Sequence, residues 1–541
     1  MATEKQVLIV GAGPVGLTMA IQLARYGVGC RIIDQLEAPL PYCRALGVTP
    51  RTLEIWQEMG IAREMIDAGI WITGRRIIIN NTVLPDTAQD IQGLPFGNLS
   101  IPQPVTEEIL AKHLALYNIN VERGTRLGDL QQQDGQVTAT LSRQNKPDEK
   151  QTFTYVIGCD GAHSMVRRLA GIAFEGERMP YDFMLGDVKI NWDLPKGYAL
   201  QSIRAKQDSA PDFLVAIPLP EENRYRVSMM APPELSISEG SDHGIQSERP
   251  VPELAPLQQA FDRLYPGVTL SDLRWSSIFR ISMRLAAKYR TGNIFLAGDA
   301  AHIHPPTGGQ GMNTGIQDAY NLAWKLAMIL NESGSEELLD SYEKERQAEG
   351  MNVINQTLQA SMNPGKRGFQ LDRLTASQLL VNYRESPVTI PPAVIPETKE
   401  SLRAGDRAPD CEGLKRQGIA RALRLSEVMS GTQHILLLFS ESPETAALSL
   451  AAVLNRLAEQ YGEPIKKIVR LVAIVPAESL IQPHAGTSIL HDATGDFANV
   501  YRLAGDDAWL IRPDQYLAWS GSVDDLSGTI SYFDKILNRK Q

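Results

Sequence analysis

The residues best suited to chemistry lie in three short stretches. Between Gly298 and Asp318 the chain reads GDAAHIHPPTGGQGMNTGIQD. His302 and His304 stand two apart, a spacing that presents two imidazoles to a metal when it falls on a strand. Prolines and glycines follow and no third ligand is near, so a packed or hydrogen-bonded His302 is the better reading, and no metal site is expected. The run GGQGMN then opens an apolar-periodic segment, YNLAWKLAMIL. A helix starting there exposes unpaired backbone N–H groups and the positive end of its dipole, which suits a phosphate or another anionic group. Pro305 and Pro306 stiffen the approach and remove two N–H donors.

The second stretch, VLIVGAGPVGLTMA, places Gly11, Gly13 and Gly16 in GxGxxG spacing. Gly11 allows a tight turn, Gly13 lets the backbone approach a pyrophosphate, and Gly16 lets the helix pack closely on the strand. Asp34 ends the next strand, about 20 residues on, where a carboxylate accepts hydrogen bonds from a ribose 2′-OH. Strand, glycine turn, helix and acid together argue for dinucleotide binding, without choosing between NAD and FAD. The third stretch, YVIGCDGAHSMVRRLAG, sets Asp160 and Gly161 after an apolar strand, with Ser164 at a helix N-cap and Arg167 three residues into that helix. Alone, Asp-Gly is a common turn.

These stretches need a scaffold. Gln6–Val10, a helix over Pro14–Tyr26 and a strand at Cys30–Ile33 form a βαβ start, which argues for a parallel sheet. Phe153–Gly158, Asn293–Ala297 and the helix after Asn313 read as further pieces of that body. The middle, about 181–285, alternates apolar and polar residues (DFLVAIPLP, YRVSMM) and reads as an inserted antiparallel sheet. A helix near 336–362 follows, then a proline-rich connector at 385–410. After it HILLLF, PETAALSLAAVLNRLAEQYG, KKIVRLVAIV, a hairpin about RPDQ and LSGTISYFDKIL give a β-α-β-β-β-α order.

Composition sets the bounds. The 541 residues allow two to four domains, and 43% hydrophobic with 21% charged residues is ordinary for a globular protein. A net charge of −10 is a poor footprint for nucleic-acid binding. No signal peptide is read in MATEKQVLIVGAG, and no apolar run approaches the ~20 residues of a membrane span. The four cysteines show no CxxC, so a reducing, cytoplasmic setting is expected.

Taken in order, GxGxxG, DGxxSxVR and GDAAHxxxPxGGQGMN resemble the class A flavoprotein monooxygenases of the p-hydroxybenzoate hydroxylase fold, over about residues 5–365. The branch of phenol hydroxylases and polyketide hydroxylases is most similar, since it carries a C-terminal thioredoxin-like domain that AGDRAPD resembles at its start. The resemblance implies an α/β fold: a Rossmann-like FAD-binding domain (1–180 and 285–365), an inserted, mainly antiparallel β substrate domain (181–284), a linker (366–400) and a thioredoxin-like domain (401–541). It implies that Gly11, Gly13, Pro14, Val15, Gly16 and Asp34 hold the ADP half of FAD, with Arg44 and Gln103 at the cofactor. Asp160 would lie near the pyrophosphate, with Arg167 fixing that segment. Asp299, after Gly298, would meet the ribityl hydroxyls, and Pro306 and Gly309, Gln310, Gly311, Met312 and Asn313 would face the flavin ring. Phe213, Val215, Ile217 and Pro305 are candidates for the substrate side, and Arg284 for the flavin side or a surface ion pair.

The implied reaction uses NADPH or NADH and O2 to hydroxylate a phenolic or polycyclic aromatic substrate through a flavin C4a-hydroperoxide. No general base is identified. Partners are the small aromatic molecule and O2, neither nucleic acid nor membrane, with a homodimer left open. A Baeyer–Villiger or natural-product-modifying monooxygenase shares the scaffold, and a catalytically silent FAD-binding scaffold is the rival from another class. The absence of WxWxIP among the seven tryptophans argues against a halogenase. After HILLLF the chain reads SESPET where a redox thioredoxin has CxxC, so no dithiol chemistry is expected.

Overall fold

The computed structural model describes residues 6–40, 45–206, 209–235, 244–245, 251–305, 309–331, 333–362, 372–391, 402–441, 443–476, 487–503, 507–525 and 527–537. The chain forms two compact units. The first comprises Met1–Ala24, Gly29–Ala319 and Gln347–Gln378, and the second Arg25–Val28, Tyr320–Arg346 and Leu379–Gln541. Among the described residues no helix is long and apolar enough to cross a membrane.

The first unit holds a five-stranded sheet in the order Arg290–Thr291, Ile294–Leu296, Tyr155–Gly158, Val7–Val10, Cys30–Ile33. Its last four strands are mutually parallel. VLIV, CRII and IFL are buried at every position, as a parallel sheet covered on both faces requires. Val10 pairs with Gly158 and with Ile33, and Gly158 pairs with Leu296. The carboxyl ends are therefore level, and Gly11, Asp34, Asp160 and Asp299 emerge along one edge. Such an edge is where open α/β sheets bind ligands.

A second, larger sheet runs Leu270–Ala286, Phe174–Ile190, Arg224–Met230, Ser209–Pro218, Tyr198–Lys206, Gly74–Ile79. The antiparallel pair Phe174–Ile190 and Leu270–Ala286 runs through the boundaries expected at 181 and 284. Gly74–Ile79, from the segment assigned to the FAD-binding domain, joins this sheet by pairing parallel with Tyr198–Lys206. Residues alternate strictly between the faces. Met184, Leu214, Ala216, Val227 and Met229 face the helix Leu254–Leu264, packing on its Leu257, Ala260 and Phe261. Phe213, Val215 and Ile217 point the other way.

The second unit is built on a sheet ordered Leu414–Lys415, Thr487–Asp492, Val469–Pro476, His434–Phe439, Asp507–Ile511, Leu517–Ser522. Thr487–Asp492, Val469–Pro476 and His434–Phe439 are parallel, and the last two strands continue antiparallel. HILLLF is buried throughout because both faces are covered: Leu436 and Leu438 enter one core, Ile435, Leu437 and Phe439 another. Thr487–Asp492 and the helix Asp496–Tyr501 add to the order read from sequence.

Residues 379–391, expected to be part of a linker, are packed into this unit instead. Val388 sits in the core, Tyr383 N donates to Gly405 O (2.6 Å) and Ile390 N to Ala518 O (3.0 Å). Tyr320–Arg346, expected within the FAD-binding domain, also belongs here. Its polar side chains explain why: Lys325 donates to Glu345 (2.7 Å), Arg512 clasps Glu345 at 2.7 and 2.9 Å, and Ser386 donates to it at 2.6 Å. Arg512 also binds Asp514. Two cations and two anions are thus taken fully out of water as a neutral group.

Candidate active site

The glycine turn after Val10 follows from close approach. Gly11 has φ +102°, and a Cβ there would collide with the Cys159 carbonyl; one on Gly16 would collide with the Gly11 carbonyl. Gly13 differs: a Cβ there would meet nothing nearer than Glu107 Oε1 at 4.0 Å, so its backbone faces open space. The Asp34 carboxylate accepts from Ala12 N (2.8 Å) and Leu36 N (2.9 Å), and Arg123 stands 3.6 Å away. The acid is held in place by the loop it serves.

Asp160 is used locally. Its oxygens accept from Ser164 Oγ (2.5 Å), Met165 N (2.6 Å) and Val166 N (3.1 Å), tying the start of the helix Met165–Leu169. Burial raises its pKa despite these bonds. Arg167 donates to Ala300 O (2.8 Å) and Ala162 O (2.7 Å) and lies 3.8 Å over the Phe174 ring. It thereby joins the third motif to the Gly298–Ala300 turn. Burial lowers its pKa to about 10.

The Gly298–Asp318 stretch is braced from within. Asp318 Oδ2 accepts from Gly298 N (2.9 Å) and lies 2.7 Å from His302 Nε2. His302 is therefore a hydrogen-bonded packing residue, and no cluster of three metal-ligating side chains occurs among the described residues. His304 Nδ1 lies 2.9 Å from the Pro305 carbonyl oxygen. Pro305, a candidate for the substrate side, does not border the cavity, and its carbonyl is engaged by its neighbour's ring.

Asn313 accepts from Thr49 N (3.0 Å) and donates to Gly47 O (2.9 Å) and Gly309 O (2.7 Å). It fixes two glycine-bearing segments against each other. Gln378 extends the brace, accepting from Thr49 Oγ1 and Gln317 Nε2 and donating to Thr314 Oγ1. Gln103 holds the segment from the other side, accepting from Ala45 N (3.0 Å) and donating to Glu107 (2.8 Å). Arg44 and Pro306 lie outside the described residues. Arg284 Nε is buried without a hydrogen-bond partner among the described residues, and Arg284 does not border the cavity.

One cavity of about 1380 Å³ joins these parts. It exceeds the roughly 300–1,000 Å³ of a site for one drug-sized ligand. At one side it is bordered by Gly11, Gly13, Pro14, Val15, Asp34, Gln103, Asp160, Asp299, Gly309, Gly311 and Met312. Gly16, Gly298, Gln310 and Asn313 are not on its wall; they pack behind it. At the other side it is bordered by the free face of the large sheet, where Phe213, Val215 and Ile217 are joined by Phe183, Leu185, Met230 and Phe279.

Three polar residues on that face escaped the sequence reading: Gln201, Ser228 and Arg226. Gln201 pairs with Val215, which pairs with Ser228, so the two polar side chains flank one apolar position. Arg226 is held by the buried Asp187 through both carboxylate oxygens. A period-two pattern exists in YRVSMM, but which strand it faces depends on pairing that no local signal encodes.

The site fits a dinucleotide with a planar ring. An open glycine backbone at a helix start suits a pyrophosphate. Asp299, exposed at the cavity wall, suits polyol hydroxyls. The first turn of the helix Gly311–Leu330 offers N–H groups toward a ring.

Comparison with known proteins agrees. A family model described as "FAD binding domain" matches residues 4–357. The chain is 31% identical to the 6-methylpretetramide 4-monooxygenase of Streptomyces rimosus, over 96% of this chain and 91% of the relative. It is 31% identical to the pentachlorophenol 4-monooxygenase of Sphingobium chlorophenolicum, over 99% and 98%. Among solved structures, a ternary complex of aklavinone-11 hydroxylase with FAD and aklavinone matches with a TM-score of 0.76, at 24% identity, over 98% of this chain and 99% of that one. That last likeness speaks for the fold.

Proposed function

Because the chain belongs to the class A FAD-dependent monooxygenases, which hydroxylate aromatic compounds, we propose that it hydroxylates a phenolic or polycyclic aromatic ring, with NADPH or NADH as reductant and O2 as the oxygen source. The observation that carries this reading is that one cavity has two unlike walls, a glycine-lined strand edge and an aromatic-lined sheet face. FAD, when bound, supplies the electron transfer and oxygen activation that no side chain of the site provides. The chain's own work is to hold, orient and exclude water.

Gly13 and the start of the helix Pro14–Arg25 would take the pyrophosphate, Asp34 the adenosine ribose and Asp299 the ribityl chain. Asp160 and Arg167 would keep the loops that carry these groups in place. Gly309, Gly311 and Met312 would lie against the flavin ring, where the positive end of the helix Gly311–Leu330 favours negative charge on it. Phe183, Phe213, Val215, Ile217 and Phe279 would cover the aromatic substrate and keep water from it, with Gln201 and Ser228 meeting its polar substituents.

The sheet of the second unit, three parallel strands followed by an antiparallel pair and a closing helix, supports a thioredoxin-like reading of 401–541. Its Cys411 is buried, and burial pushes the thiol pKa up, which supports a structural role over dithiol chemistry. Free Cys30, Cys159 and Cys411 fit a reducing, cytoplasmic setting. The test is oxidation of NADPH or NADH by the FAD-loaded enzyme in the presence of phenols and polycyclic aromatics. One compound should stimulate it and gain an oxygen; equal, slow oxidation with all of them counts against the reading.

A further inference from the structure

One polar group at the cavity is left without a role by the functional reading. His304 is 8% exposed and borders the cavity. Its Nδ1 faces a carbonyl oxygen, which only accepts, so Nδ1 carries the proton and Nε2 presents a bare lone pair. Nε2 is buried and has no hydrogen-bond partner among the described residues. Burial lowers the pKa of the ring to about 4, so no second proton fills that lone pair near neutral pH.

His304 and the start of the helix Gly311–Leu330 share one wall of the cavity. Gly311, which also borders the cavity, is the neighbour of Nε2, and a Cβ there would stand only 3.6 Å from it. With no side chain on Gly311, the imidazole edge lies close against the helix start. His302, two residues earlier, meets Asp318 through Nε2 and also has a buried ring nitrogen without a partner, Nδ1, but it does not border the cavity, whereas His304 does. A buried acceptor with no donor destabilises a fold, and such a group calls for a partner that arrives later.

We propose that His304 is a ligand-binding residue whose Nε2 accepts a hydrogen bond from a neutral donor on a planar ring in the cavity, either the imide N–H of the flavin or a hydroxyl of the aromatic substrate. The proposal rests on the reading of the cavity as a site for both. The acceptor positions the ring against the start of the helix Gly311–Leu330; it takes no proton outright.

The test compares the full-length wild type with His304→Leu, which removes the acceptor, and His304→Gln, which keeps one. FAD-stripped protein is followed by thermal melting and titrated with FAD by fluorescence quenching. FAD-loaded protein is titrated with 1-naphthol and with 1-methoxynaphthalene, reading the flavin absorption shift. Stripped His304→Leu should melt only slightly below wild type, since it loses the one Nδ1 bond to Pro305 and Nε2 has no bond to lose. If the donor is the flavin, FAD binding weakens roughly three- to tenfold in His304→Leu and recovers in part in His304→Gln.

If the donor is the substrate, FAD binds as in wild type, and the preference for 1-naphthol over 1-methoxynaphthalene falls by a similar factor. Either result supports the proposal and names the source. FAD affinity and naphthol preference both within about twofold of wild type overturn it. So does stripped protein of both variants melting well below wild type, which makes His304 a packing residue. Both arms read equilibrium binding, so a wild type that binds but makes no hydroxylated product counts against the functional reading alone.

Discussion

Gly13→Ala separates cofactor binding from folding. Gly13 is not among the glycines with positive φ, and an added Cβ has 4.0 Å of clearance from its nearest neighbour. The stripped protein should therefore tolerate alanine, and the lower entropy of its unfolded chain should stabilise it by about 0.4–1 kcal/mol. The same methyl stands on the cavity wall where a pyrophosphate must approach the backbone. Moving the phosphates off one N–H donor forfeits a charge-assisted bond worth about 1.5–3 kcal/mol. FAD should bind roughly 10- to 100-fold more weakly. Gly11→Ala and Gly16→Ala behave oppositely, because their methyls collide with the Cys159 and Gly11 carbonyls and so disrupt the fold itself. Thermal melting of the stripped protein and FAD titration by fluorescence quenching give both quantities. A Gly13→Ala protein that binds FAD within about twofold of wild type, or that melts well below it when stripped, refutes the reasoning.

Three further outcomes follow from the same structure. Burial opposes ionisation of Glu345, but Arg512 and Lys325 outweigh it and hold the carboxyl well below its usual range. Glu345→Ala should cost about 3–5 kcal/mol in urea unfolding by leaving buried cations unmatched; a cost under about 1 kcal/mol contradicts this. His434 is pushed to about 3 by burial and then by the Arg512 charge. Its folded pKa lies below its unfolded value, so its contribution is whole above about pH 6.5 and is lost as pH falls from there toward 3, at up to about 1.4 kcal/mol per pH unit. Unfolding free energies at pH 7 and pH 5 should therefore differ less in His434→Gln than in wild type; equal differences count against a neutral buried ring. Gln201→Leu and Ser228→Ala should each weaken binding of a hydroxylated anthraquinone by about 0.5–1.5 kcal/mol while leaving anthracene nearly unchanged, as read by perturbation of the flavin spectrum. Equal effects on both compounds mean that the two residues only shape the wall.

What could be read from the sequence was local. VLIVGAG, YVIG and NIFLA announce buried strands because each is an apolar run closed by glycine or a turn, and Asp34 follows from the span of one helix. The level strand ends that gather these motifs are long-range, and the resemblance to a known family stood in for them. Phe213, Val215 and Ile217 alternate visibly, whereas Gln201 and Ser228 join them only through the register of neighbouring strands. Gln378 lay hidden in a stretch read as linker, since proline-rich composition conceals packing that depends on single residues such as Val388 and Tyr383. TSILHD was missed as a strand because six residues without alternation carry no period. Asp160 was placed by its motif, but its commitment to Ser164, Met165 and Val166 became visible only with the helix start in position.

In the proposed function FAD and an aromatic ring occupy one cavity so that oxygen passes to the ring. The most direct measurement is mass spectrometry of products from purified FAD-loaded enzyme supplied with NADPH or NADH, isotopically heavy O2 and a panel of phenols and polycyclic aromatics. One heavy oxygen atom should appear in an aromatic product whose parent compound also speeds nicotinamide oxidation. Nicotinamide oxidation that yields only hydrogen peroxide, unaffected by every aromatic and with no label in any ring, would contradict the account.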